Sequence, residues 1–284
     1  MTKKLWEASL DQKKNSNLFA FENYISKKFS KKFNNNYQKI LDWSIKNSPE
    51  FWSAFWDFTK IKGRKSNKKI KQSKIFYKNF FLPNSKLNFT ENLLSKNDNK
   101  KAATFISENG FREERSWKKL NQNTSKLVQF LENKKIKKKD RIAAYMPNTI
   151  ETVEAFLATT AIGAIWSSCS PDFGVKGVIE RFSQIKPKVL FITDQYFYNG
   201  KQINIIDRLP EILKAIPSIK IVVFTNYPGK KFLKNKKKIK KIQIISWTEL
   251  MKINSMNMIY HKFDFEHELA ILYSSGTTGK PKCI

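Results

Sequence analysis

Leu272-Tyr273-Ser274-Ser275-Gly276-Thr277-Thr278-Gly279-Lys280-Pro281-Lys282 is the stretch that decides how this chain is read. It continues an apolar run at residues 269–272, of the kind that forms a buried strand. Gly276 and Gly279 let the backbone fold tightly and turn its N–H groups toward one point. The hydroxyls of Ser274, Ser275, Thr277 and Thr278 add donors, and Lys282 supplies a positive charge. Together they make a cradle for a di- or triphosphate. It is not the G-x-x-x-x-G-K-[ST] loop of kinases and GTPases. Here only Thr277 and Thr278 separate the glycines, and Pro281 follows Lys280. Any one of these residues alone reads as an ordinary turn; the whole string after a buried strand does not.

Upstream of that loop, strand and helix patterns alternate. Residues 102–106 are a short apolar run, and 111–117 alternate. Residues 116–132 read as a helix with Trp117, Leu120, Leu127 and Leu131 as its inner face. A buried strand at 141–146 ends at Pro147, and a helix at 149–162 closes at Gly163. Strands follow at 165–168, 189–193 and 221–225, with helices at 177–184 and 203–215, the latter interrupted at Pro210. Such spacing predicts an α/β domain, a largely parallel sheet flanked by helices with right-handed crossovers. Ligands of such sheets gather at the carboxyl ends of the strands.

The front segment is helical in pattern. Leu18, Phe21, Tyr24, Ile25 and Phe29 recur at three- and four-residue steps and predict one apolar face. Ser48-Pro49-Glu50 reads as a helix start with Ser48 as N-cap. Phe51, Trp52, Phe55, Trp56 and Phe58 then predict a broad buried stripe, as core or docking surface. The polar stretch at residues 95–101 marks a boundary between an N-terminal helical cap at 1–98 and the α/β part at 99–284.

The chain has 284 residues, with 54 Lys+Arg against 24 Asp+Glu and a net charge of +30. Such an excess suits a nucleic-acid or anionic-membrane binder, or a Lys-rich surface with no partner. The excess is mostly Lys, not the Arg that reads bases and grips phosphates, and it is scattered apart from runs at 134–139 and 230–241. We therefore expect no nucleic-acid partner. No membrane partner is expected either, because the longest mostly apolar stretch, 155–166, is too short to span a bilayer. Two cysteines, Cys169 and Cys283, in no ligand-spaced cluster, fit a reducing, cytoplasmic setting and no metal site. Cys169 has no His nearby and reads as a small buried thiol; His261 and His267 read as loop or strand-edge residues.

Ser274 to Lys282 resembles the phosphate-loop signature of adenylate-forming (AMP-binding) enzymes, which include acyl-CoA synthetases, luciferases and peptide-synthetase adenylation domains. Where that family usually has Gly after the last Lys, this chain has Cys283. Tyr145-Met-Pro-Asn148 and Gly163-Ala164-Ile165 look like the upstream strand–helix–strand of acyl-CoA synthetases. The front segment resembles the cap of the acetyl-CoA synthetase branch. Ser48-Pro49-Glu50-Phe51-Trp52, residues 87–94 and Tyr196-Phe197-Tyr198-Asn199-Gly200-Lys201 look most like its acetoacetate-activating members. The resemblance implies the first part of the family's large N-terminal domain. It implies acetoacetate, ATP and CoA as small-molecule substrates, with Mg²⁺ as cofactor and an acyl-adenylate between two steps. It puts the ATP phosphates at Ser274, Ser275, Gly276, Thr277, Thr278, Gly279 and Lys282, with the hydroxyls of Ser275, Thr277 and Thr278 mattering most. It puts the nucleotide end of CoA near Tyr198, Gly200 and Lys201, where Tyr198 replaces an Arg; a plain surface turn is the equal alternative there. The family's acyl pocket and catalytic Lys are expected beyond residue 284, so the chain by itself is expected to be an inactive fragment.

Overall fold

The computed structural model describes residues 5–68, 73–79, 82–228, 242–274 and 279–284. The chain divides into two compact units, Met1–Leu87 and Asn88–Ile284.

In the first unit, helices α1 (Leu10–Lys14), α2 (Asn17–Phe29), α3 (Tyr37–Lys46) and α4 (Ser48–Phe58) precede an antiparallel pair, β1 (Gly63–Arg64) and β2 (Lys86–Leu87). Side chains start the helices where the sequence offers them. Ser16 accepts from the Phe19 amide and Asn36 from the Lys39 amide, each satisfying an orphan donor of a first turn. Phe21, Ile25, Phe33, Ile40, Trp43 and Ala54 form the core. The Phe21 ring meets Phe51 and Phe58 edge-on at 5.7 and 5.1 Å. Two expectations need correcting. Ser48 is the first helical residue of α4, and Asn47 is its cap residue. Asn47 makes no side-chain cap bond to α4 because its amide is turned back to the Trp43 carbonyl, closing α3. The aromatic stripe is not buried throughout: Trp56 is buried, but Trp52 and Phe55 are each 37% exposed. Trp52 and Phe55 touch each other and Phe51 at the margin of the ring cluster.

The second unit opens with α5 (Phe89–Leu93), then the antiparallel hairpin β3 (Lys101–Ile106) and β4 (Arg112–Ser116). It continues with α6 (Trp117–Asn133), β5 (Arg141–Tyr145), α7 (Ile150–Ala161), β6 (Ile165–Cys169), α8 (Val175–Ile185) and β7 (Val189–Thr193). A second hairpin, β8 (Gln195–Tyr198) and β9 (Lys201–Asn204), precedes α9 (Leu209–Ala215) and β10 (Ile221–Thr225). Last come β11 (Gln243–Ser246), α10 (Trp247–Leu250) and three two-residue strands: β12 (Phe263–Asp264), β13 (Tyr273–Ser274) and β14 (Lys282–Cys283).

Five strands form one parallel sheet in the order β11-β10-β7-β5-β6. Its register puts alternate residues on opposite faces. Ile142, Ala144, Val189, Phe191, Ile221 and Val223 pack under α6 and α7. Ala143, Tyr145, Leu190, Ile192, Val222 and Phe224 pack under α8 and α9. Both faces are covered, which is why these strands read as continuous apolar runs. One expected helix is shorter: Ile203 and Asn204 belong to β9, a 3₁₀ turn spans Ile206–Arg208, and α9 starts at Leu209. Pro210 thus opens the helix rather than interrupting it, the position where its missing N–H costs nothing.

Gly163 ends the α7 connection with φ +72°, and a Cβ there would lie 2.3 Å from the Phe263 ring, so only glycine fits. The unit also encloses charge. Glu154 on α7 is fully buried; it accepts from Asn123 Nδ2 (2.8 Å) and lies 3.0 Å from Arg115 Nε. Glu113 and Glu151 reach the same guanidinium at 2.9 and 3.3 Å. Among the described residues no helix is long and apolar enough to cross a membrane.

Candidate functional site

The crossover from β5 to β6 uses α7 on one face of the sheet, and the crossover from β6 to β7 uses α8 on the other. In the strand order, β5 connects toward β6 through α7 while β7 connects toward β10 through α9 on the other face, so the chain leaves the carboxyl ends of β5 and β7 in opposite directions and a crevice opens there. A concavity of about 270 Å³ lies there, with Asn148, Thr152, Ser170, Asp172 and Tyr198 in its wall. Its floor is braced. The Tyr145 hydroxyl donates to the Phe173 carbonyl at 2.5 Å, and Arg208 donates to the Pro171 and Phe173 carbonyls, each at 3.2 Å.

Residues 269–271 run alongside the free side of β6. The Trp166 amide donates to Leu269 (3.1 Å), the Ile271 amide donates to Trp166 (2.8 Å), and Trp166 bridges Ala270 in parallel. Because the direction is parallel, Ser274 lies toward the carboxyl end of β6. From there the chain turns back on itself as a hairpin. Tyr273 pairs with Cys283 and Ser274 with Lys282, and Leu272 and Ile284 exchange two bonds of 3.0 and 2.9 Å. Ser274 is half-buried, while Gly279 (φ +109°) and Lys282 are exposed. Among the described residues no carboxylate pairs with Lys282. Ser275, Gly276, Thr277 and Thr278, the centre of the expected phosphate loop, lie outside the described residues.

Tyr198 and Lys201 pair across a two-residue turn in which Asn199 (φ +50°) and Gly200 (φ +71°) both take left-handed conformations. That is the turn an Asn-Gly pair favours between two strands. Tyr198 is 57% exposed and lies on the rim of the concavity. The Gly200 amide donates to Glu108 Oε2 at 3.3 Å.

Cys169 is buried, and burial pushes its thiol up to about 12, so it stays protonated and unreactive near neutral pH. His267 stacks on Phe263 with 4.4 Å between ring centroids, and its Nε2 lies 3.0 Å from the Gly163 carbonyl. Burial lowers its pKa and favours the neutral ring. Asn148, Thr152, Ser170 and Asp172 were not singled out from sequence as site residues. Their place just past the carboxyl ends of β5 and β6 is the signal that picks them out.

A parallel sheet with helices on both faces and a crevice at its carboxyl ends define a doubly wound α/β domain. Residues 91–284 match the family described as AMP-binding enzyme. An acetoacetyl-CoA synthetase of Xenopus tropicalis is 36% identical over 281 residues, covering 96% of this chain and 42% of that protein. An acetoacetyl-coenzyme A synthetase of Rhizobium meliloti is 34% identical over 280 residues, covering 99% and 42%. The solved structure of acetoacetyl-CoA synthetase from Streptomyces lividans aligns with a TM-score of 0.88 at 26% identity, covering 100% of this chain and 43% of that one. This chain belongs to the AMP-binding enzyme family. It spans less than half the length of the relatives it matches.

Proposed function

We propose that the chain is part of an ATP-dependent acid–thiol ligase that makes acetoacetyl-CoA from acetoacetate, ATP and CoA. In the first step a carboxylate oxygen attacks the α-phosphorus, the bond to the β-phosphate breaks, and pyrophosphate leaves. In the second step the CoA thiol attacks the acyl carbon and AMP leaves. The phosphate loop's role is to neutralise charge growing on the pyrophosphate. Ser274, Ser275, Thr277, Thr278, the amides around Gly276 and Gly279, and Lys282 hold the β- and γ-phosphates. Mg²⁺, when bound with ATP, would help to neutralise the phosphate charge that these residues hold. Tyr198, Gly200 and Lys201 receive the nucleotide end of CoA, Lys201 through its charge and Tyr198 by stacking. Residues 1–98 serve as the acetyl-CoA-synthetase-like cap and residues 99–284 as the first part of the adenylation domain, in the cytoplasm.

The observation that supports this reading most is the hairpin. Ser274 and Lys282 pair opposite each other, so a hydroxyl and a cation flank the two ends of the expected phosphate loop. The test is acetoacetate-dependent ATP–pyrophosphate exchange by the full product of the coding frame, with acetate and propionate alongside. We expect acetoacetate to be preferred, and Thr278→Ala to lower exchange about 100-fold without moving Tm. Lys201→Ala should raise KM for CoA and leave exchange unchanged. Faster exchange with acetate or propionate would reassign the acid; no exchange with any acid would remove the ligase reading.

A further inference from the structure

We propose that Gln184 and Arg181, three residues apart on one face of α8, are positioning residues that mount the phosphate-loop hairpin. The ATP part of this proposal rests on the ligase reading above. Gln184 uses its whole amide. Nε2 donates to the Glu180 carbonyl of its own helix (2.7 Å) and to the Pro281 carbonyl (2.9 Å), and Oε1 lies 3.7 Å from Cys283 Sγ as its acceptor. Pro281 itself is buried. Arg181 donates to the Gly177 carbonyl (2.9 Å), and its guanidinium lies 4.0 Å from the Phe173 ring centroid and 5.8 Å from that of Tyr273. One residue therefore touches the strand that leads into the loop, and the other touches the strand that leaves it. Ser167 of β6 adds a third anchor, with Oγ 2.9 Å from the Ile271 carbonyl and 3.1 Å from the Tyr273 hydroxyl.

These contacts fix the two ends from which the loop is hung. The Pro281 carbonyl precedes Lys282 and the Tyr273 ring precedes Ser274, so the direction of both site residues follows from where α8 holds the hairpin. A misplacement of about 1 Å in such a site costs about 100-fold in rate. α8 is itself held: it covers the sheet through Val178, Phe182 and Ile185. The mount is thus part of the rigid core and not a loop contact.

Gln184→Leu keeps bulk and removes all three bonds. In the full chain it should quicken hydrogen–deuterium exchange of the Leu272 and Ile284 amides about tenfold. KM for MgATP should rise about tenfold, while KM for CoA and Tm stay put. Unchanged stem exchange with unchanged KM for ATP would overturn the proposal. So would a fall in Tm with all KM values rising together, since that is a general loss of structure. If Gln184→Leu does not fold, Arg181→Lys, which keeps the charge but loses the planar stack, is read by the same two measurements. If the wild type shows no acid-dependent exchange, the ligase reading falls, and the stem amides alone decide whether α8 positions the hairpin.

Discussion

β7 and β10 are buried at every residue, whereas the ring-bearing face of α4 carries Trp52 and Phe55 half in solvent. The first region is sandwiched between helices on both sides, and aliphatic side chains of successive strands interlock in one register. The second is a cluster of large rings, many meeting edge-on, and each ring buries much area even when one side stays open. Enclosure on two sides gives a close-packed interior that tolerates no vacancy. A one-sided ring cluster tolerates more, because truncation there leaves a dent and not a cavity.

The largest expected effect lies in the sheet. Phe191→Ala should cost about 3–5 kcal/mol in denaturant unfolding, through lost transfer energy and an unfilled cavity. A cost under about 1 kcal/mol would mean that the sheet relaxes as readily as the cap. Next comes the charge enclosed beside it. Desolvation raises the Glu154 carboxyl from 4.5 to about 8 in spite of the nearby Arg115. The folded state then binds its proton more tightly than the unfolded chain, so stability should fall as pH rises from about 4.5 to about 8. Glu154→Gln should flatten that slope and stabilise the protein at pH 8, read as Tm against pH; a slope that survives the substitution would assign it to other groups. Gly163→Ala should cost about 1–3 kcal/mol, because a side chain there has both a left-handed φ and the Phe263 ring to contend with. Tm measured in parallel with a Phe263→Ala background separates the two causes, since the shorter neighbour relieves only the clash. The smallest effect belongs to the open face: Phe55→Ala should cost under about 1 kcal/mol, and a larger loss would mean that its exposed ring is part of a tighter cluster than its 37% exposure indicates.

Much of the sheet was legible because its signals are local. Val189–Thr193 and Ile221–Thr225 are unbroken apolar runs between polar breakers, and each forms the strand expected of it. The helix expected at 116–132 forms as Trp117–Asn133, with Ser116 as its cap residue rather than its first turn. The β8–β9 hairpin was missed because Ile203 and the apolar residues after it fit a helical period. The Asn199-Gly200 pair was the stronger signal and carried the turn. The strand Gln243–Ser246 was missed too, although Ser246 and Glu249 form a capping box that announces the helix behind it. Leu18 keeps the expected spacing yet is exposed, since periodicity names a face and not its depth. For the candidate site, the string Ser274–Lys282 announced a loop after a buried strand; its stem is a hairpin, but residues 269–272 are not that strand, since only Ala270 bridges β6 and Leu272 is 63% exposed. Its mount was not legible: Gln184 and Pro281 are 97 positions apart, and no local pattern encodes a contact of that separation.

The strand order carries a consequence for assembly. β5 leaves the ribosome first and sits inside the sheet; β6 joins on one side, and β7, β10 and β11 are added in sequence on the other. Each arriving strand finds its neighbour already made, so no strand has to be inserted between two others. Residues 269–271, which follow all five, dock last against β6. A nascent chain that grows in this manner organises the sheet before the phosphate-loop segment has a surface to settle on, which leaves that long-range docking to a late step.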